Sequence, residues 1–369
     1  MTYRAKAFVS LLGDICIKRG YYHCRHCKQG HFPWDGILRL SPERLTPAAQ
    51  EVVTLGGIKE SFGKVADRSL YKQTGLRLSE STVECVTEAA GERLDELLKK
   101  GNVFGPAESW DWNKDADGKT CGYVSVDATG IMMQGPNGSK VDGRMVYVGM
   151  VYNPQPRSSE DDEKLNKPCD NVRYLAGLIK LPELGDQMRR QAAQVGMNDV
   201  EQWVALSDAG NGLEEFFDVY FPRAAKIVDF RHATEHLTPL CKLLKPGKAG
   251  EELLSAWCHQ LKHEGGPKLL DVLEKLDRNA MDEPTRAQHD ETLTYFRNHS
   301  ARMNYPEYLK RGWQIGSGSV ESACKVVINQ RLNMGGMRWG EDGGDSLAHL
   351  RALFCSDADQ WDAFWSLAA

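Results

Sequence analysis

From residue 121 onward the chain alternates β-forming runs with helical ones, and this alternation restricts it to a mixed α/β sheet. Residues 123–126 make a short β run closing on Asp127, and residues 145–152 make another. A polar, Gly-rich turn at 135–143 joins the two as a hairpin. Residues 174–181 supply a third strand, 203–206 a fourth that closes on Ser207 and Asp208, and 226–230 a fifth. Helices are expected over 182–195 and 212–220. Beyond His232 the pattern is helical as far as Arg302, and a turn at 315–319 opens the helix that carries Glu321.

The first 120 residues read differently. Two β pieces, 7–12 and 14–17, lead into a Cys-containing knuckle. Residues 41–101 carry helical periodicity, with apolar Val52, Leu55, Ile58 and Phe62, then Val83, Val86, Leu94, Leu97 and Leu98. Ser79 and Ser81 suit the start of the later helix and Gly101 its end, giving a small helical unit of helix-turn-helix character. Residues 102–120, with Gly, Pro and repeated Asp, have linker composition. A length of 369 residues accommodates several domains, or one catalytic domain with a large insertion.

Charge and cysteines narrow the class. A net charge of −5 excludes a uniformly basic nucleic-acid binder, but the distribution is uneven. Residues 1–40 carry seven Lys/Arg (Arg4, Lys6, Lys18, Arg19, Arg25, Lys28, Arg39) against two acids, and 302–338 again favour bases; an acidic run lies at 160–163. No apolar run approaches a membrane span, the N-terminus has no small-residue cleavage site, and ten scattered cysteines suit reduced thiols. A cytoplasmic protein is expected.

Asp127 and Asp208 each close a buried strand, where a carboxylate is pushed to the sheet edge and can meet a cation. A turn is the competing reading, because Asp before a small residue and Gly often closes a loop. Glu321 follows Ile315-Gly316-Ser317-Gly318-Ser319-Val320, in which Ser317 or Ser319 is placed to cap the helix and Glu321 complements its dipole. The glycines lack the Gly-Lys-Ser/Thr ending of a phosphate-binding loop. As a set, three carboxylates at strand end, strand end and helix suit hard divalent cations and phosphodiester cleavage. His232 and His236, four apart on one helix, have zinc-pair spacing but lack the Glu after the first His that a zinc protease needs.

Taken in order, Val126-Asp127-Ala128-Thr129-Gly130, Leu206-Ser207-Asp208-Ala209-Gly210, Asp229-Phe230-Arg231-His232-Ala233-Thr234-Glu235-His236-Leu237 and Ile315 through Lys325 resemble the signatures of DDE insertion-sequence transposases of the ISKra type. Arg302-Met303-Asn304-Tyr305-Pro306, Gln330-Arg331-Leu332, Gly336-Met337-Arg338-Trp339 and Ala348-His349-Leu350-Arg351-Ala352-Leu353, through Trp361 and Trp365, extend the resemblance over nearly the whole chain. The resemblance implies a ribonuclease-H-like catalytic domain (121–232 and 301–369) interrupted by a helical insertion (233–300). Before it stand a zinc-ribbon-like segment (1–40) and a helical DNA-binding region (41–101). It implies two Mg²⁺ or Mn²⁺ ions on Asp127, Asp208 and Glu321, accessory roles for Asp229 and His232, transposon-end and target DNA as partners, and a homodimer or larger assembly.

The N-terminal segment departs from that pattern. Cys24 and Cys27 match only half of a zinc ribbon, and four-coordinate zinc needs two more ligands, with Cys16, His23, His26 or His31 as candidates. Lys325, Arg331 and Arg338 are the expected DNA contacts, whereas Trp110, Trp112, Trp339, Trp361 and Trp365 are expected to pack internally. Two other readings compete: a transposase-derived DNA-binding protein that no longer cuts, and a metal-independent carboxylate hydrolase such as a glycosidase.

Overall fold

The computed structural model describes residues 2–139, 141–156, 167–208, 210, 212–357 and 359–367; the acidic run at 160–163 lies outside them. At the N-terminus β1 (Thr2–Ser10) and β2 (Gly13–His23) form a long antiparallel hairpin, extended by the short β3 (Gly30–His31). The hairpin is longer than the two β pieces read from sequence. Arg19 is buried within it, paired with Asp35 and set against the rings of Phe8 and Phe32.

Helices Pro47–Gly57, Phe62–Lys64, Leu70–Thr74 and Glu80–Lys99 follow, all within the region read as helical. Ser79 caps the last of them by accepting the Thr82 N–H, which fixes its start as expected. These helices do not stand apart from the rest of the chain. Leu45, Val53 and Val83 share one buried core with Val146 and Val148 of the central sheet. Helix Glu80–Lys99 lies along helix Glu341–Cys355, and Gly91 is the point of closest approach. A Cβ there would stand 2.4 Å from the Ser346 Cβ and 2.6 Å from its Cα. The stretch 102–120 is irregular, as a linker would be, yet it is tied down: Phe104 and Trp112 are buried, and Trp112 Nε1 donates to the Val195 carbonyl at 3.1 Å.

The central sheet comprises β4 (Cys121–Ile131), β5 (Arg144–Pro154), β6 (Cys169–Gly177), β7 (Gln202–Ser207) and β8 (Ala225–Val228). Its order is β6-β5-β4-β7-β8, with β4, β5 and β6 antiparallel neighbours and β4, β7 and β8 parallel. The parallel pairs need crossovers, and helices Leu181–Gln194 and Leu213–Tyr220 supply them. The whole is therefore the mixed α/β architecture that the sequence implied.

Among the strand limits that differ from expectation, two have an evident cause. β4 does not end at Asp127 but runs on to Ile131, because β5 pairs with it through Ile131↔Arg144 and holds the extension in the ladder. The third strand ends at Gly177 rather than at 181. The Leu178 N–H leaves the ladder for the Asp345 carboxylate at 2.6 Å, and Pro182 in the first turn lets the next helix start at Leu181.

After β8 the chain is helical, through Phe230–Leu244, Lys248–Glu264, Gly266–Glu274 and Glu283–His299. It returns to the sheet by Tyr305–Lys310 and Gly318–Ala323, then finishes with Glu341–Cys355 and Asp359–Ser366. Trp112, Trp339, Trp361 and Trp365 are buried, as their size predicts. Among the described residues no helix is long and apolar enough to cross a membrane.

Candidate active site

Asp127 projects from within β4, where Val124 and Val126 are buried and its own residue is half-buried. Its Oδ1 accepts the Ala128 N–H at 2.7 Å, and the Cys324 thiol lies 3.6 Å from Oδ2. Asp208 follows the last residue of the parallel neighbour β7, and its Oδ1 accepts the Gly210 N–H at 2.8 Å. Asp208 therefore closes a local turn, as its turn reading expects, and also lines the site cavity.

Asp229 follows β8 and is 2% exposed. Its N–H is bonded to the Ser207 carbonyl at 2.8 Å, which ties the ends of β7 and β8 together. Its carboxylate caps helix Phe230–Leu244 through the N–H groups of Arg231 and His232. The same carboxylate also accepts the Ser317 N–H at 3.1 Å and the Ser317 hydroxyl at 2.8 Å. With the Phe230 N–H bonded to the Ile315 carbonyl at 2.9 Å, this brings the 315–317 turn onto the ends of β7 and β8.

Glu321 is delivered by that turn. It sits in the first turn of helix Gly318–Ala323, and its Oε1 is 2.8 Å from Ser317 Oγ. Ser317 occupies the N-cap position, yet its hydroxyl makes no cap bond; it faces Asp229 and Glu321 instead. A hydroxyl carries one proton, so it can donate to one of these carboxylates at a time. The Arg231 guanidinium stands 3.8 Å from Glu321 Oε2 and is largely exposed.

Asp127, Asp208, Asp229, Arg231, His232 and Glu321 line one cavity of about 250 Å³. Four sequence segments thus converge. The convergence carries an electrostatic cost: burial first, and the nearby Asp208 and Glu321 charges as well, push the Asp127 carboxyl above its usual range despite the Ala128 N–H. Burial and the Asp127 charge hold the Cys324 thiol well above its ordinary range, so it stays a protonated donor. The oxygens of Asp127, Asp208 and Glu321 are not all within 4.8 Å of one another; among the described residues only Asp95, Asp345 and His349 meet that spacing.

The helical segment between β8 and the Glu321 turn builds one wall. Tyr295, from helix Glu283–His299, stacks on His236 with ring centroids 3.7 Å apart, and His232 packs beside both. Burial, with Asp208 and Asp229 nearby, pushes the Tyr295 phenol above its ordinary range. Burial and His232 hold His236 below the ordinary imidazole value. The second histidine is thus engaged by an aromatic face, away from any zinc-pair role.

One other expectation turns out differently. Arg331 is not a DNA contact: it is fully buried, donates to the Gly57 carbonyl at 2.7 Å and lies between the Phe62 and Trp339 rings. Lys325 is exposed and Arg338 half-buried, so both remain at the surface. Cys24 and Cys27 share a tight knuckle in which N–H groups of Cys27 and His26, with the Cys27 thiol, lower the Cys24 thiol. Among the described residues no third ligand joins them: Cys16, His23, His26 and His31 complete no cluster with the pair. Ser317 and Arg231 line the site and Tyr295 packs behind its histidines, and sequence reasoning assigned none of the three. Ser317 carried a cap signal, and nothing in the sequence around Tyr295 marks it. No protein-family model matches the chain, and neither does any curated protein.

Proposed function

We propose that this chain is a DDE transposase that cleaves DNA and transfers the cut strand on a ribonuclease-H-like body. The observation that carries the reading is the convergence of Asp127, Asp208 and Glu321 on one cavity from segments far apart in sequence. The sheet order, three antiparallel strands followed by two parallel ones, supports the fold half of the proposal.

The donor set fits hard divalent cations. All three donors are carboxylates, the Asp208 and Glu321 charges make Asp127 costlier to ionise, and the Arg231 guanidinium is 3.8 Å from only one of them. Asp127, Asp208 and Glu321 would hold two Mg²⁺ or Mn²⁺ ions, as carboxylate-only donor sets of phosphodiester-cleaving sites do. Such ions, when bound, supply an activated water and stabilise the departing oxygen.

The protein's own residues supply position. Asp229 and Ser317 fix the turn that presents Glu321, and Arg231 at the rim offers a cation to a phosphate oxygen. In the proposed reaction water attacks a phosphorus at the transposon end, the P–O3′ bond breaks, and a 3′-hydroxyl is released. That hydroxyl then attacks a target phosphodiester, forming a new P–O bond and expelling the target's own 3′ oxygen.

The test is Mg²⁺-dependent strand transfer by the full chain on paired DNA ends taken from the repeats that flank its reading frame. Asp127→Ala, Asp208→Ala and Glu321→Ala should each lower cleavage on the order of 10³-fold or more with circular dichroism unchanged. A parental protein that binds these ends but never cuts them would instead mark a DNA-binding derivative. Hydrolysis that persists in chelator would point to the glycosidase-like class.

A further inference from the structure

A second group of ligating side chains, none of them lining the proposed active site, lies beside the end of β6. Asp95 comes from helix Glu80–Lys99, and Asp345 and His349, four residues apart, from helix Glu341–Cys355. Their ligand atoms all lie within 4.8 Å of one another. His349 is 2% exposed. Its Nε2 is 3.5 Å from Asp345 Oδ1 and 3.6 Å from Asp95 Oδ1.

These separations are too long for hydrogen bonds, which centre near 2.9 Å. Both His349 nitrogens and Asp95 Oδ1 are buried with no hydrogen-bond partner. Nε2 faces two carboxylate oxygens across gaps wider than a hydrogen bond, as an imidazolium between two carboxylates or a ligand of one shared cation would. A cation bonded to all three atoms would also engage Asp95 Oδ1, which accepts no hydrogen bond. Two donors on one tetrahedral cation with bonds of about 2.0–2.1 Å stand about 3.4 Å apart, which matches the spacing found.

The surroundings hold the ligands as outer partners of a metal site would. Lys99 Nζ bonds Asp95 Oδ2 at 2.6 Å, behind the oxygen that faces His349, and the Leu178 N–H bonds the facing oxygen Asp345 Oδ1 itself at 2.6 Å, so each carboxylate is held in place. Gly177 leaves the space open. A Cβ at that position would lie 2.9 Å from Asp345 Oδ1 and 3.0 Å from His349 Nε2.

We infer that Asp95, Asp345 and His349 form a structural site for one divalent first-row transition metal, which staples helix Glu80–Lys99 to helix Glu341–Cys355 at the β6 edge of the sheet. One imidazole nitrogen with two carboxylate oxygens suits a borderline cation such as Zn²⁺; Mg²⁺ prefers oxygen ligands throughout and retains its waters. The site is separate from the proposed catalytic cavity and does not depend on it.

The test uses the full chain with Cys24→Ser and Cys27→Ser, stripped with EDTA and given Zn²⁺ alone. The expected result is a Tm rise of roughly 5 °C, together with anomalous scattering from Zn²⁺-soaked crystals located between the two helices and bonded to His349 Nε2. His349→Gln should keep its circular dichroism and lose both signals. If that variant does not fold, Asp95→Asn takes its place, and the anomalous map on the parental chain decides in either case. No anomalous peak at His349, or a Tm rise of the same size in a folded His349→Gln chain, overturns the assignment.

Discussion

Ser317 Oγ stands 2.8 Å from Asp229 Oδ2, so a turn that precedes the last carboxylate is fastened to the residue that caps the first helix after β8. Through this contact two segments that enclose the helical stretch after β8 are closed on each other at the site. The same oxygen is 2.8 Å from Glu321 Oε1. Ser317→Ala is expected to reduce strand cleavage by about 10- to 100-fold, as loss of an orienting partner does. It should also cost about 1–2 kcal/mol of stability, because Asp229 loses one of its donors in a buried place. Denaturant melts and single-turnover cleavage separate the two effects. Parental cleavage by Ser317→Ala would show that Glu321 is positioned by other means.

Asp127 gives the site a stability signature that needs no DNA. Burial raises its carboxyl above the value of about 3.9 that an unfolded chain would have. Between the two values the folded protein binds more protons than the unfolded chain, so this group's contribution is fully present below about pH 3.9 and lost as pH rises through the raised value. In EDTA at neutral pH, Asp127→Asn should therefore melt higher than the parent, with the gap closing as pH falls toward 4. Adding Mg²⁺ should raise the Tm of the parent more than that of the variant. Calorimetry across pH, with and without Mg²⁺, reads both effects. A variant that melts below the parent in EDTA at pH 7 contradicts the electrostatic account.

The basic residues separate into two kinds. Lys325→Ala and Arg338→Ala should each weaken DNA binding and reduce the slope of log K against log salt by about 1 if each meets one phosphate. Arg331→Ala should behave otherwise. Its guanidinium is enclosed and bonded to the Gly57 carbonyl, so its removal should cost about 3 kcal/mol or more in stability and leave the salt slope of the folded fraction unchanged. Fluorescence anisotropy at several salt concentrations, paired with thermal melts, tells the classes apart.

These residues also show what the sequence could and could not convey. Periodicity located the five sheet strands and the helices between them, because buried strands and amphipathic helices imprint their spacing on the chain. Asp127 and Asp208 were readable because each follows a run of buried apolar residues, a local signal. The extension of β4 to Ile131 was not readable, since it depends on pairing with β5. Charge was readable only as a count. Of the seven bases in residues 1–40, Arg19 is enclosed by Phe8 and Phe32 and Arg39 donates to the Trp365 and Leu367 carbonyls. Arg331 misled for the same reason, because a guanidinium between two aromatic rings looks like any other in one dimension. Tyr295 reaches the site from the helical segment by tertiary packing alone.

The close seating of Gly91 on Ser346 has a bearing on how such a chain evolves. The helix before the sheet and the helix after it were fitted to one another without room for a methyl group, so the opening and closing stretches must diverge together. Exchange of the first hundred residues with those of a distant relative would import a helix cut for a different counterpart. New specificities in such chains should therefore arise by point changes at the surface, with wholesale shuffling of the front of the gene disfavoured.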